Sequence, residues 1–226
     1  EVVERFPGIV DSAMIIGGIQ IQGRATLGGN LCNASPSADT IPTLIAYGAT
    51  AEVQGPDGKR KMPVEEFCTA PGRNALQPGE ILVCLQIPQN KTNSGAHYLR
   101  FIPRNEMDIA VVGVGAYVEL GGRGKNQTFK SARIALAAVG PTPIFARDAG
   151  DGLQGQPVSE ESILAAGEAA KAVATPISDM RGPAEYRTHL VGVLTKRALI
   201  GAVKRARGQY VPNAVQENGH PVYTLS

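Results

Sequence analysis

The run Thr26-Leu27-Gly28-Gly29-Asn30-Leu31-Cys32-Asn33-Ala34-Ser35-Pro36-Ser37-Ala38-Asp39 restricts this chain more than any other segment. Adjacent glycines permit a tight backbone course, positive φ and close approach of another molecule, because no Cβ stands in the way. Consecutive N–H groups in such a turn form a concave anion site suited to a phosphate or pyrophosphate. Small Ser, Thr and Asn side chains add hydrogen-bonding groups without filling the space, and Asp39 offers a carboxylate to the hydroxyls of a sugar or ribityl chain. Two readings stand side by side. The run is a cradle for a phosphorylated, hydroxyl-rich cofactor, or it is an ordinary Gly-Gly-Asn turn and a loop capping a helix near Ala38. It is neither G-x-G-x-x-G nor a Walker A loop, so it implies neither a dinucleotide fold nor a phosphate-loop NTPase.

The chain has 226 residues, enough for one large domain or two small ones with separate cores. A net charge of +2 gives no general attraction for nucleic acid or an anionic membrane. No apolar run approaches the roughly 18 to 20 residues that span a bilayer. The start, Glu1-Val2-Val3-Glu4-Arg5, has neither an initiator Met nor a signal-peptide pattern, and reads as the middle of a longer frame. Cys32, Cys68 and Cys84 are odd in number and widely spaced, which points to a reducing, cytoplasmic setting and away from a zinc site. They are also too few for an iron–sulfur cluster held by this chain alone. Cys84, in an apolar run, is expected in the core, and Cys32 is expected to pack.

The spacing of apolar residues predicts a helix from Pro7 to Ile16, ended by Gly17-Gly18, then a short strand in which Ile19 and Ile21 alternate with Gln20 and Gln22. A helix is expected over 41–46. Residues 51–54 and 59–62 flank Gly55-Pro56-Asp57-Gly58, a hairpin signal. A one-turn helix at 63–67 and a strand at 81–87 follow. The polar stretch 89–95 reads as a linker between a first domain, 1–90, and a second, 95–207, with 208–226 as an extended tail. The second domain reads as strands at 97–102, 109–120 and 131–139. Two helices then follow, one from Glu160 behind a Ser159 N-cap and one from Pro183. The basic end of the last helix, Lys196, Arg197, Lys204, Arg205 and Arg207, reads as a solvated terminus offsetting the macrodipole rather than as a nucleic-acid patch. His97, His189 and His220 read as structural or exposed, and Glu65-Glu66 as a solvated acidic pair. No general acid–base set stands out, so no catalytic residue is assigned.

With that order in place, the chain resembles the FAD-binding medium subunit of the molybdenum hydroxylases, the family of xanthine dehydrogenase and aerobic carbon monoxide dehydrogenase. The resemblance lies in Ile16 to Asn30, in Asn33 to Asp39 and in Gly79-Glu80-Ile81-Leu82. It continues in Tyr98-x-Arg100 with Asp108-Ile109-Ala110, and in Asp179-Met180-Arg181-Gly182-Pro183-Ala184-Glu185-Tyr186-Arg187. It implies an α+β fold: the second part of a two-lobed FAD-binding domain, then a βββαα C-terminal domain. Nothing in residues 1 to 15 matches the family's first glycine-rich loop, so the chain is expected to carry one side of the FAD site.

The resemblance also implies roles. Thr26, Leu27, Gly28, Gly29 and Asn30 match the loop that holds the FAD pyrophosphate and neighbouring atoms. Asp39 matches a carboxylate that bonds a cofactor hydroxyl, and Ser35 belongs to the same segment. Leu82 matches an apolar residue packed on the cofactor, and Ile16 one near the flavin ring. Arg100 stands where the family often has Lys, a cation suited to the negative charge of reduced flavin. The implied function is electron transfer. A molybdenum cofactor in a large partner subunit oxidises substrate, [2Fe–2S] clusters in a small partner subunit carry the electrons, and FAD here passes them to an external acceptor. Two alternatives remain open at this point: a non-flavin scaffold bridging partner chains, and a free-standing FAD-dependent oxidoreductase.

Overall fold

The computed structural model describes residues 2–104, 107–212 and 225. The chain runs α1 (Val2–Arg5), α2 (Pro7–Ala13), α3 (Ile19–Gln22), α4 (Leu27–Asn33) and α5 (Thr40–Ala46). There follow β1 (Thr50–Gly55), β2 (Gly58–Pro63), β3 (Cys68–Ala70), β4 (Arg73–Asn74) and β5 (Ile81–Gln86). The second half is β6 (Ser94–Phe101), β7 (Val112–Gly121), β8 (Thr128–Ala137), β9 (Ile144–Phe145), α6 (Arg147–Asp151), α7 (Glu160–Val173) and α8 (Ala184–Ala206). The fold is α+β, as the sequence implied. Its second half inserts the short β9 and α6 between the three long strands and the two long helices.

The centre is an antiparallel sheet in the order β6-β7-β8-β9. Alternation along β6 sends successive side chains to opposite faces. A Cβ on Gly95 would overlap the Ala202 carbonyl oxygen and lie 2.5 Å from Ala206 N, so α8 crosses that face at backbone range. On the other face, a Cβ on Gly115 of β7 would lie 2.9 Å from Pro42 O, so the first turn of α5 presses equally close. Helices thus cover both faces, and β7 and β8 are buried along most of their length.

Local sequence explains the covering helices. The Ser159 hydroxyl accepts from Ser162 N at 3.2 Å, and Ser162 Oγ accepts from Ser159 N at 3.3 Å, a reciprocal cap that starts α7. Pro183 stands as the N-cap of α8, one position before the first helical turn. The helix then buries Leu190, Val191, Leu194, Ala198, Leu199, Ala202 and Val203 at spacings of three and four. Arg187, 3% exposed, donates to the carbonyls of Val111 and Ala138 at 3.2 Å and to Asp179 Oδ1 at 2.6 Å. This ties the start of α8 to the sheet.

The first half carries a second antiparallel sheet, β2-β1-β5, whose β1–β2 hairpin pairs Gly55 with Gly58 around Pro56-Asp57. One apolar core lies between the central sheet and α6–α8, and another gathers α5, β1 and Val64-Phe67 against Ala96 and Ala135. Arg133 of β8 stitches the halves. Its Nε donates to Ile45 O at 3.0 Å, NH2 to Glu65 Oε1 at 2.9 Å, and its guanidinium lies 4.1 Å from the Phe145 ring centroid.

Several expectations are corrected. Residues 19–22 form a helical turn, with Ile19 80% exposed. Among the described residues no strand pairs with them, and their backbone groups bond locally, Gln22 N to Gly18 O at 3.1 Å and Gly23 N to Ile19 O at 3.2 Å. The helix expected to run to Ile16 ends at Ala13. The linker ends earlier than expected, because Ser94 and Gly95 already belong to β6. Cys84 is exposed: β5 is an outer strand whose Ile81 and Val83 are exposed too, and nothing among the described residues covers that face. Glu65 is paired with Arg133, so only Glu66 is the solvated member of the acidic pair.

The basic helix end is not simply solvated. Arg205 bonds Asp11 of α2 through NH1 at 2.5 Å and NH2 at 2.9 Å, and also donates to Ala96 O and Val211 O. His97, fully buried, shares the same carboxylate through Nδ1 at 2.9 Å. His189 is exposed, whereas His220 and most of the expected tail lie outside the described residues.

A Gly95→Ala variant is expected to lose roughly 1–3 kcal/mol of unfolding free energy, because its methyl group meets backbone rather than a movable side chain. Urea titration reads the loss. An unchanged midpoint would mean that α8 can step back from β6.

Candidate cofactor site

The glycine run is not a free turn. Thr26, in extended geometry, is the N-cap of α4, and its Oγ1 accepts from Gly29 N at 2.9 Å. A Cβ on Gly29 would stand 2.9 Å from that same oxygen, so glycine lets the capping hydroxyl sit close over the first turn. The amides of Leu27 and Gly28, first in the helix, precede any intrahelical acceptor. A Cβ on Gly28 would meet only Leu82 Cδ2, at an ordinary 3.4 Å, which places Leu82 of β5 beside the first turn.

The far end of α4 is pinned. Ala34 closes it in left-handed geometry at φ 50° and accepts from Gly72 N at 3.0 Å, while Asn74 Nδ2 donates to Cys32 O at 2.8 Å. The small β3–β4 hairpin therefore holds the carbonyl end while the amide end, with Thr26 and Gly29 exposed, faces outward. Leu31 anchors the helix in the core with no exposed surface.

A polar chain leads from α4 into the second half. Asn30 Oδ1 accepts from Thr40 Oγ1 at 2.5 Å. Ser35 Oγ accepts from Ser37 N at 3.3 Å, and Ser35 O accepts from Ala38 N at 3.1 Å, a turn that delivers Asp39 beside Thr40. Asp39 is 7% exposed. Its Oδ1 accepts from Tyr98 OH at 2.8 Å and its Oδ2 from Arg100 NH1 at 2.8 Å.

Burial pushes the Asp39 carboxyl above its ordinary range, and Arg100 and Tyr98 pull it back only in part. Burial, with Asp39 at its hydroxyl, drives Tyr98 well above its ordinary value. The Arg100 side chain is 8% exposed, so this charge pair is largely withdrawn from water.

Leu82 is set by the loop before it. Arg60 of β2 grips Glu80 with two bonds of 2.7 Å and donates to Ala75 O at 2.8 Å, and Glu80 also accepts from Gln77 N at 2.7 Å. Leu82 thus lies beside the first turn of α4 and Ser35 just past its end, while Asp39 and Arg100 are joined to it through Thr40 and Asn30. Ile16 lies in the turn between α2 and α3, its amide donating to Ala13 O at 3.4 Å. Sequence reasoning did not assign Tyr98, Thr40 or Asn74 to the site. Tyr98 alone carried a signal, since it stands two residues from Arg100 on a predicted strand and so shares its face.

Known proteins carry the same two-part arrangement. A family model described as the FAD binding domain in molybdopterin dehydrogenase matches residues 1–90, and one described as the CO dehydrogenase flavoprotein C-terminal domain matches residues 97–202. The chain is 34% identical over 205 residues to the xanthine dehydrogenase FAD-binding subunit of Escherichia coli O157:H7, covering 90% of this chain and 69% of that protein. It is 34% identical over 203 residues to the carbon monoxide dehydrogenase medium chain of Afipia carboxidovorans, with the same two coverages, 90% and 69%. The solved carbon monoxide dehydrogenase of Hydrogenophaga pseudoflava superposes with a TM-score of 0.83 at 31% identity, over 91% of this chain and 69% of that one. Fold and sequence together define a flavoprotein component of an oxidoreductase. The chain belongs to the family of FAD-binding medium subunits of the xanthine and carbon monoxide dehydrogenases.

The Glu80 clamp has a pH signature. Its hydrogen bonds from Arg60, joined by the Gln77 amide, hold the carboxyl at about 2 against an ordinary 4.5. Because the folded value is depressed, the stabilisation is complete above about pH 4.5 and is lost as pH falls toward 2. Thermal midpoints of the wild type and Glu80→Gln should differ by a constant gap above about pH 5, a gap that closes toward pH 2. A gap independent of pH would show that the ion pair does not hold this loop.

Proposed function

We propose that this chain is the FAD-binding electron-transfer subunit of a molybdenum hydroxylase. It takes electrons from [2Fe–2S] clusters of a small partner subunit and passes them through FAD to an external acceptor. Substrate is oxidised at a molybdenum cofactor in a large partner subunit. What supports this reading is the convergence of three features: the open amide end of α4, the apolar Leu82 beside it, and the buried Asp39–Arg100 pair behind it. That donor set suits the cofactor chemically. Backbone amides and a hydroxyl match a pyrophosphate, an apolar side chain matches a ring, and a cation matches charge gained on reduction.

Each residue then has a task. The amides of Leu27 and Gly28 and the Thr26 hydroxyl bind the pyrophosphate, and Gly28 and Gly29 keep the approach free of side chains. Asn30 and Ser35 line the same path. Asp39 keeps a second lone pair on each oxygen, through which it accepts a cofactor hydroxyl while still holding Tyr98 and Arg100. Leu82 and Ile16 give apolar contact, and Arg100 supplies positive charge. FAD, when bound, supplies the capacity to accept and release electrons. The residues assigned here bind and orient, with no acid–base step, in a chain working with large and small partner subunits in the cytoplasm. No helix among the described residues is long and apolar enough to cross a membrane.

Protein purified with its accompanying subunits should be yellow and carry flavin absorbance. Colourless protein that takes up no added FAD would overturn the reading. Gly28→Ala should fold normally, since its methyl meets only Leu82 at 3.4 Å, yet bind FAD at least about tenfold more weakly because the methyl stands in the phosphate path. Wild-type flavin content in that variant would show that the pyrophosphate lies elsewhere.

A further inference from the structure

We propose that Tyr98 is a positioning residue for Arg100. Gly113 of β7 makes room for the Tyr98 hydroxyl, the hydroxyl fixes Asp39, and Asp39 fixes the guanidinium. The proposal rests on the flavin reading above.

Tyr98 is 1% exposed, and a buried phenol must place its hydroxyl on a partner. Its partner is Asp39 Oδ1. The hydroxyl reaches that oxygen only because position 113 has no side chain. A Cβ on Gly113 would stand 2.5 Å from Tyr98 Oη and 3.3 Å from its Cζ. In the β6–β7 ladder Gly113 is directly opposite Arg100, and Tyr98 is opposite Gly115, so all four share the face toward α5. The glycine, the phenol and the guanidinium are therefore neighbours by register, while Asp39 enters from the turn before α5.

A carboxylate held at one oxygen can rotate, whereas one held at both is fixed in its plane. Tyr98 holds Oδ1 and Arg100 holds Oδ2, each at 2.8 Å. Removing the hydroxyl frees the carboxylate to turn, and the guanidinium bonded to its other edge turns with it. The charge that Arg100 offers a cofactor also depends on how closely Asp39 compensates it. Tyr98 thus sets both the direction and the effective strength of the cation.

The test uses flavin-loaded protein purified with its accompanying subunits. FAD affinity is read by fluorescence and the flavin midpoint potential by redox titration. Arg100→Gln should lower the potential, and Asp39→Asn, which leaves the cation uncompensated, should raise it. Tyr98→Phe should shift it in the same direction as Asp39→Asn by less, and weaken FAD binding about tenfold, the scale of one hydrogen bond to a charged group. Gly113→Ala should reproduce Tyr98→Phe. Added to Tyr98→Phe it should change potential and affinity little further, because the hydroxyl it collides with is gone and what remains, the ring Cζ and Ala137 Cβ at 3.3 Å, needs only a slight give.

A merely structural tyrosine would lower thermal stability in Tyr98→Phe and leave potential and affinity at wild-type values; that result overturns the proposal. Wild-type protein that binds no FAD would instead overturn the flavin reading, and the proposal with it. Flavin-loaded wild type beside an indistinguishable Tyr98→Phe overturns the positioning role alone.

Discussion

Helix α5 has no exposed side. All seven of its residues are buried, with the central sheet on one face and the β1 core on the other. A helix enclosed in this way cannot use a polar face for solubility, and its position is fixed by packing from every direction. Much else is measured from it. Asp39 is its N-cap residue, Thr40 is its first helical residue, and the Ile45 carbonyl receives Arg133 from β8. The carboxylate of the candidate site sits at the start of this fully buried helix.

Two buried aspartates show how the number of donors decides a titration. Both lose water on burial, which favours the neutral acid. Asp11 is met by two strong partners, His97 and the forked contact of Arg205, and together they carry its carboxyl below the ordinary value. Asp39 has one guanidinium bond and one neutral hydroxyl, and for it burial prevails. Burial also lowers His97, so its Nδ1–H acts as a neutral donor to Asp11 near neutral pH. The first carboxylate, joining α2 to α8, is held toward its ionised form, and the second toward its neutral one.

Local signals were legible in the sequence, and distant ones were not. The Ser159 cap and the Gly55-to-Gly58 hairpin involve neighbours in the chain, and each appeared where the residues implied. The positions of Thr26 to Asn30, Asp39, Leu82 and Arg100 could be named, but not their mutual bonds. Asp39 and Tyr98 are 59 positions apart, and Asp39 and Arg100 are 61 apart. Alternation at 19–22 misled because a two-residue period makes a strand only where an edge is available to pair with. Cys84 misled because hydrophobic neighbours do not ensure burial on an outer strand. Arg205 looked like a helix-end charge, since its carboxylate lies 194 residues earlier.

That last separation bears on how the chain comes off the ribosome. At typical synthesis rates of about 5–20 residues per second, roughly 10 to 40 s pass between the emergence of Asp11 and that of Arg205. Its first partner, His97, follows Asp11 by 86 residues, so α2 can dock on β6 well before α8 exists. Arg205 then arrives last at a carboxylate already out of water, closing a circuit between the two ends of the fold. The pair is therefore complete only after α2, β6 and nearly all of α8 have been made.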